Sequence, residues 1–201
     1  MAMWDRLKDQ ARALQQSQGG RAGGAQGQAP FGQGHTGGQG HGGGPGHGAR
    51  SSSSGSKAQL IGLLKSQLAA ARTELKSGAF RDASMAVCAL VAAADGHVDP
   101  AERQRVEELI VADEVLQNFP AEQLRKRFNE HVDRLVANFQ AGKAKALEDI
   151  AKAAKKPVEA RAVIQTGIVI AGADGHIEAS EQHAIHEACA ALGLSPAEFG
   201  I

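Results

Sequence analysis

The sequence predicts an all-α protein: a bundle of about seven helices that contains two pseudo-repeated helix–loop–helix units, preceded by a disordered glycine-rich tether. Tyrosine is absent from the 201 residues, and threonine is scarce after residue 56, so few side chains favour strands. Sixteen of the 25 glycines fall within residues 19–56. Residues 57–201 are therefore the one stretch long enough to bury a sizeable core.

The first 18 residues predict a short amphipathic helix. Apolar side chains recur there every three or four residues, at Met1, Trp4, Leu7, Ala11 and Leu14. This spacing places them on one stripe of a helix. We interpret Trp4, Leu7 and Leu14 as an anchor to a membrane surface or to a groove of a partner protein. The alternative is a frayed helix with no such role, because a single short helix is marginally stable in water.

Residues 19–56 consist mainly of Gly, Gln, Ser and His, and Phe31 is their only large apolar side chain. Such a composition cannot offset the entropy of ordering by burial, so it predicts a disordered tether. His35, His41 and His47 recur every six residues and offer imidazole ligands for nickel or copper. The alternative is a low-complexity linker in which these histidines bind nothing.

Charge and cysteine usage exclude several classes of protein. Residues 57–201 carry 17 basic and 20 acidic side chains, and a weakly acidic domain argues against nucleic-acid binding. The two cysteines lack the spacing of a disulfide framework or a zinc site. No apolar run reaches the ~20 residues of a membrane span, and the charged first residues do not resemble a secretory signal. We expect a cytoplasmic protein with peripheral contact to the inner face of the membrane through residues 1–18.

Helix breakers and caps divide residues 57–201 into seven predicted helices. Gly78 ends the first helix, Pro120 opens the fourth and Gly142 ends it. Pro157 opens the sixth helix, and Gly193 caps the seventh. The helices span about residues 57–76, 80–94, 99–117, 120–142, 143–155, 157–173 and 178–192, and one short turn follows them.

A nine-residue motif occurs twice, at an offset of 79 residues. ADGHVDPAE at 94–102 and ADGHIEASE at 173–181 share the pattern A-D-G-H-[VI]-[DE]-x-x-E. Each copy follows an apolar helix pattern and precedes another helix. We therefore interpret residues 94–102 as the first loop, and residues 173–181 as the second loop, of two equivalent helix–loop–helix units.

The two loops match the second half of an EF-hand calcium loop, D-x-[DN]-x-[DN]-G-x-I-x-x-x-E. The acidic residues at its ligand positions are Asp95, Asp99, Glu102, Asp174, Glu178 and Glu181. The backbone carbonyls of His97 and His176 are further candidate ligands. The early ligand positions lack side-chain oxygens, which excludes a complete EF-hand. The carboxylates predict a divalent-cation site, with calcium as the first candidate and magnesium, manganese or zinc as the others.

Helix capping is the competing interpretation of the same residues. Asp99 and Glu102 have the spacing of a capping box, and Gly96 suits the left-handed end of the preceding helix. Capping leaves Asp95 and Asp174 without a role. A carboxylate at a helix C-terminus faces the negative end of the helix dipole, and a bound cation would compensate it.

His183 and His186 lie on the seventh predicted helix, close to Glu187. As nitrogen ligands they would shift the metal preference towards zinc or manganese, and the alternative is that both are solvated surface side chains. The sequence has no catalytic nucleophile motif and no phosphate-binding loop in a strand-to-helix setting. We therefore expect a protein that is not an enzyme.

The two loops, the helical block and the segment IHEACAALGLSPAEFG at 185–200 resemble the TerB-type tellurite-resistance family. The resemblance implies a seven-helix bundle in which the six loop carboxylates form an acidic metal-binding cluster. It also implies association with other tellurium-resistance proteins, including an integral membrane partner. The function expected is a non-enzymatic cation-binding module of the tellurite and stress response that assembles partners at or near the membrane. The alternative is a metal-free interaction scaffold whose acidic loops only cap helices, and the oligomeric state stays open.

Overall fold

The computed structural model describes residues 53–201, with side chains described from residue 56. The predicted helix at residues 1–18, with Trp4, Leu7 and Leu14, and most of the predicted tether at 19–56 lie outside the described residues. Seven α-helices and no strand occur between residues 53 and 201, which confirms the predicted fold class.

The helices follow the predicted order closely. They are α1 (Ser53–Ala71), α2 (Gly78–Ala92), α3 (Pro100–Ala112), α4 (Ala121–Ala137), α5 (Phe139–Ala151), α6 (Pro157–Ala171) and α7 (Ala179–Leu192). Short 3₁₀ turns follow four of them, at Leu116–Asn118, Lys152–Lys155, Gly172–Asp174 and Pro196–Phe199. In the described part of the chain, no helix combines the length and the apolar character needed to cross a membrane.

The boundary between α4 and α5 differs from the prediction. The break lies at Asn138, whose side chain caps α5 by accepting a hydrogen bond from the N–H of Ala141 at 3.0 Å. Gly142, predicted to end a helix, is buried inside α5. A Cβ atom at this position would lie 2.6 Å from the backbone nitrogen of Leu135. The glycine therefore permits close packing of α5 on the end of α4, and this packing constraint is not visible in the residue type alone.

The core is built around α2 and α6, the helices that lead into the first and second loops. Their mutual contact is the most extensive between any two helices described here. Residues 85–91 of α2 form an uninterrupted apolar run, and all of them are buried. At the crossing, Val87 packs against Gly167, where a Cβ atom would lie 2.9 Å from a Val87 methyl group. The remaining helices cover these two, so both loops emerge from the same central pair.

Helix α1 packs on α6 and on the 3₁₀ turn that begins the second loop. It buries Ile61, Leu64 and Leu68. The Cδ1 atom of Ile61 occupies the space that a side chain at Gly172 would need. The absence of a side chain at Gly172 thus lets α1 lie directly against the second loop.

One imidazole is enclosed in the core between α4 and α5. His131 is 3 % exposed, and its Nε2 atom lies 3.7 Å from Oδ2 of Asp149. Its Nδ1 atom is buried without a hydrogen-bond partner. Burial lowers the pKa of His131 below its ordinary value, although the nearby Asp149 carboxylate acts in the opposite direction.

Candidate metal-binding site

The two loops have the same backbone conformation. Gly96 in the first loop has φ +84°, and Gly175 in the second has φ +86°. Each glycine N–H donates to the carbonyl oxygen three residues earlier, that of Ala93 or Gly172, at 2.9 Å. This left-handed conformation favours glycine, because a Cβ atom crowds the backbone there. The D-G pair therefore specifies the same reversal of the chain direction in each of the two loops.

Asp95 and Asp174 each stabilise the backbone of their own loop, a role that helix-capping patterns do not predict. Oδ1 of Asp95 accepts a hydrogen bond from the N–H of His97 at 2.9 Å, and Oδ1 of Asp174 accepts one from His176 at 2.8 Å. Each is an Asx turn, in which the carboxylate stabilises the turn that it begins. The interpretation that these two residues lack a structural role without a cation was wrong.

The next carboxylates cap the helices that follow the loops. In the first loop, Oδ1 of Asp99 accepts hydrogen bonds from the N–H groups of Ala101 and Glu102, at 2.8 and 2.9 Å. Oε2 of Glu102 accepts the N–H of Asp99 at 3.1 Å and completes the predicted capping box. In the second loop, Oε2 of Glu181 accepts the N–H of Glu178 at 2.8 Å. These bonds fix the glutamates at the start of α3 and α7.

The glutamates that close the two loops are buried, Glu102 being 7 % and Glu181 5 % exposed. Burial raises the pKa of Glu181 to about 8. The neighbouring carboxylates Glu178, Asp174 and Asp95 raise it further, and the hydrogen bond from Glu178 opposes the rise. Burial also raises the pKa of Glu102, with contributions from Asp99 and Asp95. Asp95 belongs to the first loop, so carboxylates of both loops contribute to the raised pKa of Glu181.

The donor set matches the chemistry of a hard divalent cation, because it consists of carboxylate oxygens with backbone carbonyls nearby. Oε1 of Glu178 is buried and has no hydrogen-bond partner, which is unfavourable for a carboxylate oxygen. Within residues 53–201, however, no three His, Cys, Asp or Glu side chains are arranged to hold an ion. The residues fit a cation in kind, but several side chains must turn away from their turn and cap hydrogen bonds to coordinate one.

The described part of the structure does not bring the side chains of the candidate histidines into a metal-holding group either. The side chains of His97 and His176 are exposed, and Nδ1 of His176 lies 2.9 Å from the carbonyl oxygen of Gly175. His183 is exposed on α7 and lies 3.6 Å from Glu187. The Nε2 atom of His186 is buried without a hydrogen-bond partner. None of the four belongs to a metal-holding group among the described residues.

Sequence reasoning missed two features of this region. The burial of Glu102 and Glu181 has a partial signal, since each is the third residue of a helix whose following turns carry aliphatic side chains facing the core. The contact of Ile61 with Gly172 has no local signal, because the two residues are far apart in the sequence. Both features depend on how the helices pack.

The family model described as "Tellurite resistance protein TerB" matches residues 81–201. This match covers more than half of the chain and includes both acidic loops, while α1 and residues 1–52 lie outside it. No curated protein and no solved structure shows significant similarity to the chain. With the seven-helix fold and both loops in place, the chain belongs to the TerB family of tellurite resistance proteins.

Proposed function

We propose that this tellurite-resistance module binds a divalent cation, calcium in the first instance, between its two acidic loops. The observations that support the proposal are the burial of Glu181 in the second loop and the contribution of Asp95, in the first loop, to its raised pKa. Burial raises the pKa of Glu181, repulsion by the neighbouring carboxylates adds to the rise, and a bound cation would offset both effects. Magnesium, manganese and zinc are the other candidates.

The residues proposed to hold the ion are the six loop carboxylates. Glu178 offers the oxygen that lacks a partner, and Glu181 offers a second oxygen close to it in the second loop. In the first loop, Asp95 and Asp99 add to the rise that burial causes in the pKa of Glu102. Asp95 adds in the same way to the raised pKa of Glu181 in the second loop. Since side chains must reorient, we expect a modest affinity, on the order of 10⁻⁵ to 10⁻³ M.

Calorimetric titration of the full chain with calcium, magnesium and manganese tests this proposal. The protein with Asp95→Asn and Asp174→Asn should lose the binding heat and the rise in melting temperature. A variant with Glu74→Gln and Glu114→Gln removes the same charge from exposed positions outside the loops and should retain both. The absence of heat and of any melting shift at millimolar metal would refute cation binding.

The cation-loaded domain is proposed to assemble other tellurium-resistance proteins, including an integral membrane partner, with residues 1–18 adding peripheral membrane contact. One short helix gives marginal membrane affinity, so Trp4→Ala should lower the membrane-associated fraction of the protein in cells. Phe31→Ala, in the glycine-rich segment, is the matched control. Equal fractions for the three proteins would remove residues 1–18 from the proposal.

The proposed role is non-enzymatic. Both cysteines are buried, and burial raises the pKa of Cys189 to about 11 and that of Cys88 even further above its ordinary value. Neither thiol therefore supplies a thiolate nucleophile at neutral pH. The hydrogen bonds that the loop carboxylates accept are those of turns and helix caps.

A metal-free interaction scaffold is the second candidate, and a specific observation favours it. In each loop an Asp and a Glu side chain accept hydrogen bonds from backbone N–H groups, and these bonds stabilise both loops without requiring an ion. In this case the Asp95→Asn and Asp174→Asn protein should lose partner binding only as far as it loses stability. Partner capture with and without a chelator separates the two candidates, because only the cation-binding module responds to it.

A further inference from the structure

Each loop borders a surface groove, and the two grooves are equivalent under the 79-residue repeat. The Val98 groove lies between the start of α3 and the end of α4, and is lined by Val98, Arg103, Val132 and Val136 among others. The Ile177 groove lies between α7 and α1, and its lining includes Ile177 and Gln182. Val98 corresponds to Ile177 in the repeat, and Arg103 corresponds to Gln182. Helices α4 and α1 thus take the same place in the two units.

The grooves differ in what fills them. In the Ile177 groove, Gly200 and Ile201 pack beside Leu60 and leave a volume of about 50 Å³. The Val98 groove has about 320 Å³, which lies within the ~300–1,000 Å³ range of pockets that enclose small ligands. At its edge Val136 is 64 % exposed. One unit therefore covers its aliphatic groove with a segment of the same chain, and the other leaves its groove open.

We propose that residues 1–18 of the same chain dock in the Val98 groove, with Trp4 and Leu7 against Val98, Val132 and Val136. The apolar stripe of this segment has the helical spacing that an aliphatic groove accepts. The segment carries three basic and two acidic side chains, and residues 57–201 carry 17 and 20. Its charge is therefore opposite in sign to that of the domain.

The length of chain before α1 permits this docking. Residues 19–52 connect the segment to Ser53, and a glycine-rich chain of that length has a root-mean-square span of about 29–35 Å. A domain of residues 57–201 has a radius of gyration of about 15 Å. The span is about twice this radius of gyration, so the connecting chain allows the segment to reach grooves well away from the start of α1.

Docking in this groove goes beyond the proposed function, because it gives residues 1–18 an intramolecular site beside the first loop. The apolar stripe cannot contact a membrane while it lies in the groove. Release of the segment then becomes the step that precedes membrane contact.

Trp4 reports on this docking directly, because it is the only tryptophan of the chain and there is no tyrosine. In the full chain we expect Trp4 emission at shorter wavelength, and several-fold weaker quenching by acrylamide, than in the isolated 1–18 peptide. Val136→Asp should return both readouts to those of the peptide. Val158→Asp, at a side chain that is 46 % exposed on α6, should leave them unchanged.

Any of the following results would overturn the proposal. Emission identical to that of the free peptide would show that the segment does not dock. A shift that persists in Val136→Asp would place Trp4 elsewhere, and a shift that disappears on dilution would assign the groove to a second copy. Because Val136 is largely exposed, its substitution should leave the far-ultraviolet circular dichroism intact, and Val136→Ser provides a milder variant with the same expected direction.

Discussion

Burial raises the pKa of Glu181 in the second loop, and Asp95 of the first loop adds to this rise, although 86 positions separate the two residues in the sequence. The carboxylates of the two loops therefore influence one another, although the loops are separate in the sequence. Glu181 is at the centre of this arrangement, and its protonation responds to both halves of the domain.

Replacing Glu181 with glutamine should stabilise the protein at alkaline pH. The pKa of Glu181 is raised from 4.5 to about 8, so the folded state holds a proton that the unfolded state releases. Stability is thus lost as pH rises from about 4.5 towards 8, at a rate of about 1.4 kcal/mol per pH unit at most. Glutamine keeps an acceptor for the capping bond and does not ionise. Chemical unfolding at pH 5 and pH 9 should show a larger gain at pH 9, whereas Glu114→Gln should show no such difference.

Replacing His131 with leucine should stabilise the protein at acidic pH. Burial lowers the pKa of His131 in the folded state, so below about pH 6.5 the unfolded chain takes up a proton that the folded chain resists. Stability is therefore lost as pH falls through this range. The groups that face the ring are Asp149, Arg134, Glu130 and Asp82, and the three carboxylates reduce the effect. Unfolding midpoints at pH 5 and pH 7.5 should converge in His131→Leu, and the exposed His183→Gln protein should behave like the original.

Alanine at the left-handed glycines should destabilise both loops by similar amounts. Gly96 and Gly175 have φ values of +84° and +86°, and no atom lies within 4 Å of an added Cβ. The penalty is therefore conformational, at about 1–2 kcal/mol for each site. Gly62→Ala is the matched control, because Gly62 lies in α1 with equally open surroundings and should gain about 0.5–1 kcal/mol. Equal effects at all three positions would contradict this explanation.

Alanine at Gly172 should detach the first helix from the second loop. The new methyl group would collide with Cδ1 of Ile61, so either the side chain or α1 must move. Ile61→Ala creates space, and the double variant should recover part of the stability lost by Gly172→Ala. A double-mutant cycle of unfolding free energies measures this coupling. Strictly additive effects would show that the two residues do not compete for the same space.

The sequence was sufficient for the helices but not for all of their ends. Periodicity and caps located all seven helices, since these signals are local. The break at Asn138 was placed at Gly142, because a glycine that permits close packing looks the same in a sequence as one that ends a helix. Only the neighbour, Leu135 on α4, distinguishes the two cases.

In the acidic loops, too, the local features could be predicted from the sequence, whereas the features that depend on packing could not. The repeat identified Asp95 and Asp174, and their spacing to a glycine and a histidine contained the signal of an Asx turn. The burial of Glu181 and its proximity to Asp95 arise from the packing of the two units, which no local pattern encodes. The candidate residues were therefore identifiable from sequence, whereas their electrostatic coupling was not.

The crossing of α2 and α6 relates this single chain to a symmetric pair. Two identical half-length chains, joined about a twofold axis, would place equal side chains on both sides of such a crossing. Here Gly167 stands at the counterpart of Cys88, and Val87 fills the space beside it. Because one chain carries both halves, their pairing is intramolecular and independent of concentration. The two halves can also differ in sequence, so a small residue in one half can accommodate a larger side chain from the other.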